Sequence, residues 1–600
     1  MKKMRQILAL VLALVMVLSC FAGCTQNQEE KPEETKSQQQ GGSKETTPAE
    51  SEKTFSHPVT TEPITISILT TRHSTATNDA KDTWFFQHLE KWLHDEHGYN
   101  VKLDVQQTLE TKEQISLLLG TDSLPDLIWG IALDNTQAVV FGEGEKMILD
   151  WTPYLNETYM PNAYARIYDP QNADALSAST APDGGIYGLP QLGSRVYNDA
   201  SSSIGANQDR MFFNTTWLAE NNLKMPTNME EFYAVLEAYK GKTVEGGEAA
   251  IPIMGQGGLL EKAFWTMLGY YGGTLSKYGT AFAIKNGQVE LPVYTEDYKT
   301  FVEVMHKLYS EGYLSPDHFT MDKSTVRGLT QAGFTGVFSD NTLGFVPDFI
   351  EWESMPWFPI NEGDEIIIST GSTYRVANTW ASAATEYPEV LALIVDYLYT
   401  VEGAIAYNYG PKQGEDPLGI VDGWYLDETG KMTGKLVEDG TYESYESYCY
   451  QYIFPYSYVA GDNSLLQSEE ASAILGKSSP KSYQIMDTVT GKEFTALETD
   501  VYDHSNAQGH WFLTNSAASR PYITTVNLPS VYMSEEDALH ATELKSVLKN
   551  HVDSETAKFI TGQRPLSELD AFQEELKTMG IEEYIDMYRE AYAPFMDKFF

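Results

Sequence analysis

Beyond about residue 60 the chain sets short alternating runs between stretches of three- and four-residue apolar spacing. Ile64-Thr65-Ile66-Ser67-Ile68-Leu69 alternates as a half-buried strand does, because successive strand side chains point to opposite faces. From about Asp79 to His97, Phe85, Leu89 and Trp92 recur at helical spacing and predict one buried face. Val101 to Val105 alternates again, Lys112 to Leu119 reads as a second helix, and Leu124-Pro125-Asp126-Leu127-Ile128-Trp129 as a short third strand. Strand, helix, strand, helix, strand is the order of a doubly wound α/β sheet, in which ligands sit beyond the carboxyl ends of the strands. Trp129 and Gly130 fall there.

The pattern continues with longer helices. Pro226-Thr227-Asn228 precedes Phe232, Val235, Leu236 and Tyr239, a capped amphipathic helix. A helix is predicted from Pro388 to about Thr400, with the proline in its first turn. Near the end, Ser567-Glu568-Leu569-Asp570 has the look of a capping box, with Leu569, Phe572 and Leu576 as the stripe and Gly580 as the stop. At 600 residues the chain exceeds what one hydrophobic core usually organises, so at least two lobes are expected.

Charge narrows the field of partners. There are 41 Lys and Arg against 85 Asp and Glu, a formal net charge of -44, which repels phosphate backbones and argues against nucleic acid. The start of the chain carries separate information. Lys2, Lys3 and Arg5 precede an apolar run from Leu8 to Leu18, too short to span a bilayer comfortably, which is the form of an export signal. Phe21-Ala22-Gly23-Cys24 resembles the bacterial lipobox, with Phe21 where leucine is more usual. That resemblance implies cleavage after residue 23, a diacylglyceryl group on Cys24, and attachment to the outer face of the cytoplasmic membrane. Residues 24–58 are rich in Gln, Glu, Lys, Ser and Thr and predict a flexible tether, since they cannot bury enough apolar surface to offset their ordering entropy. Of the three cysteines, Cys20 leaves with the signal and Cys24 is acylated, so Cys449 is expected as a small buried hydrophobe.

Four segments then resemble the family 1, carbohydrate-type extracellular solute-binding lipoproteins of ABC importers, and among them the long Gram-positive subgroup. They are Leu117 to Ile128, like the family's small-Gly-x-x-Pro-Asp-apolar-apolar turn; Asp183-Gly184-Gly185-Ile186-Tyr187-Gly188-Leu189-Pro190; Phe212 to Leu218 with Met225 to Phe232; and Lys558-Phe559-Ile560-Thr561-Gly562 through Tyr588. The resemblance covers about residues 60 to 600. It implies a periplasmic-binding-protein-like α/β fold of two lobes with a hinge, an interlobe cleft and a helical C-terminal extension. Lobe 1 is expected at about 59–195 and 336–455, and lobe 2 at about 196–335 and 456–600. It further implies capture of an oligosaccharide or similar polyhydroxylated solute without chemistry on it, delivery to ABC permease subunits, and a monomer. The segments Val196 to Gln208 and Gly414 to Asp462 fit the short members of the family poorly.

A pyranose offers flat C–H faces for aromatic rings and a rim of hydroxyls for fixed donors and acceptors, and the chain holds 11 Trp and 37 Tyr. Trp129 is the first candidate platform. Glu261-Lys262-Ala263-Phe264-Trp265 resembles the acid-plus-aromatic segment of maltodextrin-type binders, making Glu261 a hydroxyl acceptor and Trp265 a stacking face; burial inside a helix is the competing reading. Asp340 and Asn341 follow the apolar run 333–338, where the chain is expected to return to lobe 1 across the cleft floor. Tyr374 and Trp380 flank a candidate binding loop. No catalytic residue, metal site or cofactor is expected. His88, Glu90, His94 and His97 share a helix but lack the His-Glu-x-x-His order of a zinc protease. Gly476-Lys477-Ser478-Ser479 lacks the earlier glycine of a phosphate loop, having Ala471 there. There is no Gly-x-Ser-x-Gly elbow and no Asp-x-Asn-x-Asn-Gly calcium loop. Two other readings remain open from sequence: an extracellular glycoside hydrolase, and a surface adhesin with no transport role.

Overall fold

The computed structural model describes residues 60–193, 210–244, 246–255, 258–273, 275–340, 343, 345–369, 374–428, 432–442, 444–456, 460–476, 482–486, 493–497, 510, 514–515, 518–524 and 526–598. The signal, Cys24, the tether and Asn341 lie outside them.

The chain folds into two α/β lobes, each around its own sheet. In lobe 1, strand β1 (Thr60–Thr71) leads to helix α1 (Trp84–His97), β2 (Tyr99–Thr108), α2 (Thr111–Thr121) and β3 (Leu127–Trp129), as the periodicity predicts. The burial of β2 alternates residue by residue, the mark of one wet face. β3 is buried throughout because it is a central strand. Strand β4 (Leu189–Leu192) closes the first passage through this lobe.

Lobe 2 begins with β5 (Met211–Asn214) and α3 (Met229–Lys240), whose cap is Asn228: its side chain accepts from the Glu231 N–H at 2.9 Å. Phe232, Val235, Leu236 and Tyr239 are its buried face. There follow β6 (Ile251–Gly255), α4 (Leu259–Met267), α5 (Glu296–Ser310), β7 (Thr335–Ser339) and β8 (Trp352–Ser354). The chain then returns to lobe 1 with β9 (Tyr374–Ala381), α6 (Pro388–Tyr397), α7 (Val401–Tyr409) and α8 (Tyr445–Tyr452). It ends with α9 (Glu535–Thr561), α10 (Leu569–Thr578) and α11 (Ile581–Tyr592). The lobe 1 sheet runs in the order β2-β1-β3-β9-β4 and the lobe 2 sheet β8-β5-β7-β6. Strands β1, β2 and β3 are parallel, and β9 lies antiparallel to both β3 and β4.

The lobe boundaries differ from expectation at two places. Residues 336–369 belong to lobe 2: Val337 of β7 pairs with both Phe213 and Ile253, β8 pairs with β5, and Trp357, Ile366 and Ile368 join that core. Asp340 therefore ends a strand of lobe 2, and the chain folds back as β8 before leaving. Residues 460–476 belong to lobe 1, where Leu192 N donates to Gly461 O at 2.8 Å and Ala471 and Leu475 enter the core. The C-terminal helices bury Leu548, Val552, Phe559, Phe572 and Leu576 in the lobe 2 core. Their capping box does not form, because Leu566–Glu568 is a short 3-10 turn and Glu568 caps α10 without a side-chain bond. Cys449 is buried, and burial pushes its thiol well above the usual range.

The Asp183–Pro190 motif is a rigid turn. The Tyr187 hydroxyl donates to Asp183 Oδ2 at 2.6 Å while Asp183 Oδ1 accepts the Gly185 N–H at 2.9 Å. The Tyr187 ring lies so close to Gly142 that a Cβ there would be 2.5 Å from it.

Candidate ligand-binding cleft

Where the chain passes between lobes fixes which edges of the sheets face each other. It leaves lobe 1 after Gly193 and re-enters at Tyr374; in β9–β4 pairing, Tyr374 is opposite Leu192. Since β9 is antiparallel to β3, this is also the edge at which β1, β2 and β3 end. In lobe 2 the chain enters at Arg210, beside the ends of β7 and β6, as Met211 pairs with Ser339 and Gly255 pairs with Ser339. The cleft lies between these two edges, at the carboxyl ends of the strands.

On the lobe 1 edge, His73 stands two residues beyond the end of β1. Its ring stacks on Tyr450 with centroids 4.3 Å apart and 15° between planes, and Tyr456 stands 5.6 Å away. His73 N donates to Pro455 O at 2.7 Å. The Thr75 N–H donates to His73 Nδ1 at 3.3 Å, which makes Nδ1 an acceptor and places the ring proton of a neutral imidazole on Nε2. The Tyr407 hydroxyl holds Tyr456 O at 3.0 Å, and the Gln451 carbonyl oxygen accepts from Thr77 N at 2.9 Å and Thr77 Oγ1 at 3.0 Å. The result is an aromatic corner whose backbone is pinned from both sides, with His73 and Tyr456 half-buried and Ser74 and Thr75 exposed.

On the lobe 2 edge the polar groups sink below the surface. Arg210, Ser339 and Asp340 are all buried at 1% exposure or less. Arg327 grips Asp340 with two hydrogen bonds, 2.7 Å to Oδ1 and 2.9 Å to Oδ2, and lies 4.8 Å over the Phe345 ring. Among the described residues, the Ser339 and Ser354 hydroxyls are buried without a hydrogen-bond partner.

The residues expected to bind ligand are thus dispersed. Trp129 is fully buried in lobe 1, ringed by Phe85, Phe86, Tyr407 and Phe454, since the last position of a central strand still points into the layer. Trp380 is buried on the opposite face of that sheet and donates to Ile131 O at 2.8 Å. Trp265 stacks on Phe301 at 4.3 Å inside lobe 2. Glu261, in the first turn of α4, is buried against His318 at 3.0 Å and Lys277 at 3.4 Å. Burial pushes its carboxyl up, but the His318 hydrogen bond and charge, with the Lys277 ammonium, outweigh that and hold it at about 2. These four are core residues rather than cleft linings. Asp340 reaches the cleft edge but is committed to Arg327. Tyr374, half-buried, is on the lobe 1 edge. Sequence reasoning passed over His73, Tyr450, Tyr456 and Arg210. The carboxyl-end rule applied to β1 would have found His73, since Thr70-Thr71-Arg72-His73 ends its alternation.

The helix that carries His88, Glu90, His94 and His97 spends them locally. His88 Nε2 meets the Tyr397 hydroxyl at 3.1 Å and Glu90 accepts the Leu103 N–H at 2.8 Å.

Comparison with known proteins agrees with this geometry. No protein-family profile matches the chain. Among curated proteins it is 22% identical over 537 residues to the fructooligosaccharide ABC transporter substrate-binding protein FusA of Streptococcus pneumoniae, covering 88% of this chain and 90% of FusA. FusA in complex with kestose has the same fold, with a TM-score of 0.67 at 17% identity, covering 89% of this chain and all of that one (100%). The chain has the two-lobe fold of these solute-binding proteins. An HMO-binding, ABC-transporter-associated solute-binding protein from Bifidobacterium longum infantis matches this chain with a TM-score of 0.66 at 17% identity, over 89% of this chain and 99% of the other. Lipoprotein LipO of Bacillus subtilis is 29% identical over 137 residues, 22% of this chain and 26% of LipO.

Proposed function

We infer that this solute-binding protein captures an oligosaccharide between its lobes and delivers it, unaltered, to the permease of an ABC importer. The observation that carries the reading is the end-to-end relationship to FusA, whose name specifies fructooligosaccharide transport. The aromatic corner of His73, Tyr450 and Tyr456 supports it, because ring faces at a strand-end cleft suit the C–H faces of a sugar. Ligand touches both edges only when the lobes close, so it draws the open–closed equilibrium toward closure by its differential affinity. Arg210 and the Ser339 hydroxyl on lobe 2 are the groups we assign to the sugar hydroxyls.

The export signal and lipobox-like Phe21-Ala22-Gly23-Cys24 support a chain tethered through Cys24 to the outer face of the cytoplasmic membrane. The same two-chain acyl group is sufficient for stable anchoring. Replacing Cys24 with alanine releases the protein into the medium if this is correct.

The decisive experiment is a thermal-shift and calorimetric screen with kestose, fructo-nystose and a panel of linear and branched oligosaccharides. Ligand at about a hundred times its dissociation constant adds roughly 2.7 kcal/mol of stability. The expected result is a raised midpoint with sugar of unchanged mass recovered afterwards. Silence across the panel sinks the capture reading, and shortened sugar replaces it with a hydrolase.

A further inference from the structure

Between the second lobe and α9 the chain threads the space between the lobes. Residues 526–534 have no regular secondary structure. Val526, Leu528, Val531 and Met533 pack, half-buried, against the lobe 2 core. Tyr532, between the last two of these, packs instead against the lobe 1 cluster that contains Ile131, Ala138 and Trp380. The Val531 carbonyl also belongs to lobe 1 by contact, accepting from Asn135 Nδ2 at 2.9 Å. Asn135 is held in place by a capping box in which Asp134 and Gln137 satisfy each other's backbone.

Both ends of this thread are anchored. Upstream, Ser369 Oγ donates to Val526 O at 2.7 Å within lobe 2. Downstream, Ser534 caps α9, accepting from the Asp537 N–H at 3.2 Å, and Tyr298 and Thr556 hydroxyls meet at 2.7 Å deep in the lobe 2 core. The first residue of α9 completes the contact: the Glu535 carboxylate lies against lobe 1 where Gly144 has no side chain, 3.1 Å from the place a Cβ would occupy.

Within three residues, then, the backbone is fastened to lobe 2, to lobe 1, and to lobe 2 again. A point fastened so closely to both bodies permits rotation about itself but little translation. We propose that Tyr532 is the pivot about which the lobes close, a contact kept in both the open and the closed states. The inference rests on the capture-by-closure reading above. Without the Tyr532 side chain the lobes sample more relative orientations, and ligand must order them at greater entropic cost.

The test reads lobe geometry directly, without needing the correct sugar. In a chain whose native cysteines are replaced by alanine, spin labels at Ile350→Cys on lobe 2 and Ile420→Cys on lobe 1, both exposed, report the interlobe distance distribution. Tyr532→Ala is expected to broaden that distribution in the ligand-free protein and to weaken kestose binding roughly 2- to 30-fold. An unchanged distribution overturns the proposal. Should Tyr532→Ala not fold, a second variant decides: Asn135→Cys with Val531→Cys, joined by dibromobimane. A pivot tolerates this link, so closure on kestose persists; a link that blocks closure shows that the contact must open, and the pivot falls. If no sugar binds the wild-type chain while Tyr532→Ala still broadens the distribution, the pivot stands and the oligosaccharide reading falls.

Discussion

Arg166 reaches from an early helical turn of lobe 1 to the fully buried carboxylate of Asp462, with Nε 2.5 Å from Oδ2. Ser464 completes the arrangement, donating through N and Oγ to Asp462 Oδ1 at 3.0 and 2.5 Å and accepting from Arg166 Nη2 at 3.2 Å. The pair ties the returning segment 460–476 to the helix Pro161–Ile167, and Asp462 also forms a bridge with Leu192 of β4. Removing one partner of such a pair strands the other charge out of water. Arg166→Ala is expected to lower stability by about 3–5 kcal/mol, measured by urea unfolding. A loss below about 1 kcal/mol would show that Ser464 alone satisfies Asp462.

The aromatic corner and the core tryptophans should separate cleanly in a binding assay. Tyr456→Ala is expected to weaken oligosaccharide affinity by roughly two- to tenfold, the worth of one aromatic contact, with little change in unfolding midpoint. Trp129→Ala should cost about 3–5 kcal/mol of stability instead. Calorimetry and chemical denaturation on the two variants check this; the opposite assignment would return Trp129 to the cleft.

Two buried groups contribute to the acid side of the stability curve. Burial, which outweighs the attraction of Asp416, lowers His88 from its usual 6.5 to about 4. A base depressed in the fold binds its proton more readily when unfolded, so stability is full above 6.5 and declines as pH falls toward 4. Glu261 acts lower down. Its folded value near 2 lies below the usual 4.5, so its contribution is present above 4.5 and is lost as pH falls through 2. His88→Leu should flatten the unfolding midpoint between pH 6.5 and 4, and Glu261→Gln should flatten it below 4.5 while lowering it at neutrality. Midpoints recorded across pH 2–8 check both.

Two glycines should fail for different reasons. Gly142→Ala drives a methyl into the Tyr187 ring and is expected to cost about 1–3 kcal/mol by overpacking. Gly184 has nothing within 4 Å but a φ of +86°, so Gly184→Ala should cost about 1–2 kcal/mol through the backbone alone. Tyr187→Ala combined with each separates them. The Gly142 loss disappears because the ring is gone, and the Gly184 loss is unaffected.

The fold was legible wherever periodicity was strong. Phe85 and Leu89 are buried on α1 as their spacing predicts, and the capped face of α3 is buried at every residue read as apolar. The site was far less legible, because aromatic residues serve cores and clefts alike and one sequence does not say which. Trp129 ends β3, and His73 lies beyond the end of the adjacent parallel strand β1. The difference is that Trp129 is still paired, opposite Thr70 and Thr379, whereas His73 lies two residues past the last strand position. Asp340 misled for another reason. An apolar run ending in an acid reads as a crossing, yet the ladder continues through β8, whose partner β5 lies far away in sequence.

The interleaving of the lobes also bears on how the chain reaches its native state. The lobe 1 sheet lacks the strand between β3 and β4 until residues 374–381 are available, and lobe 2 lacks part of its core until 541–592 are. Lobe 1 is therefore finished only once residue 476 has been made, and lobe 2 only near the end of the chain. A chain emerging amino end first begins lobe 2 before lobe 1 is finished, with loop closures over hundreds of residues still to be made, and such non-local pairing slows folding. By the same token there is no bond whose single cleavage separates two self-sufficient halves.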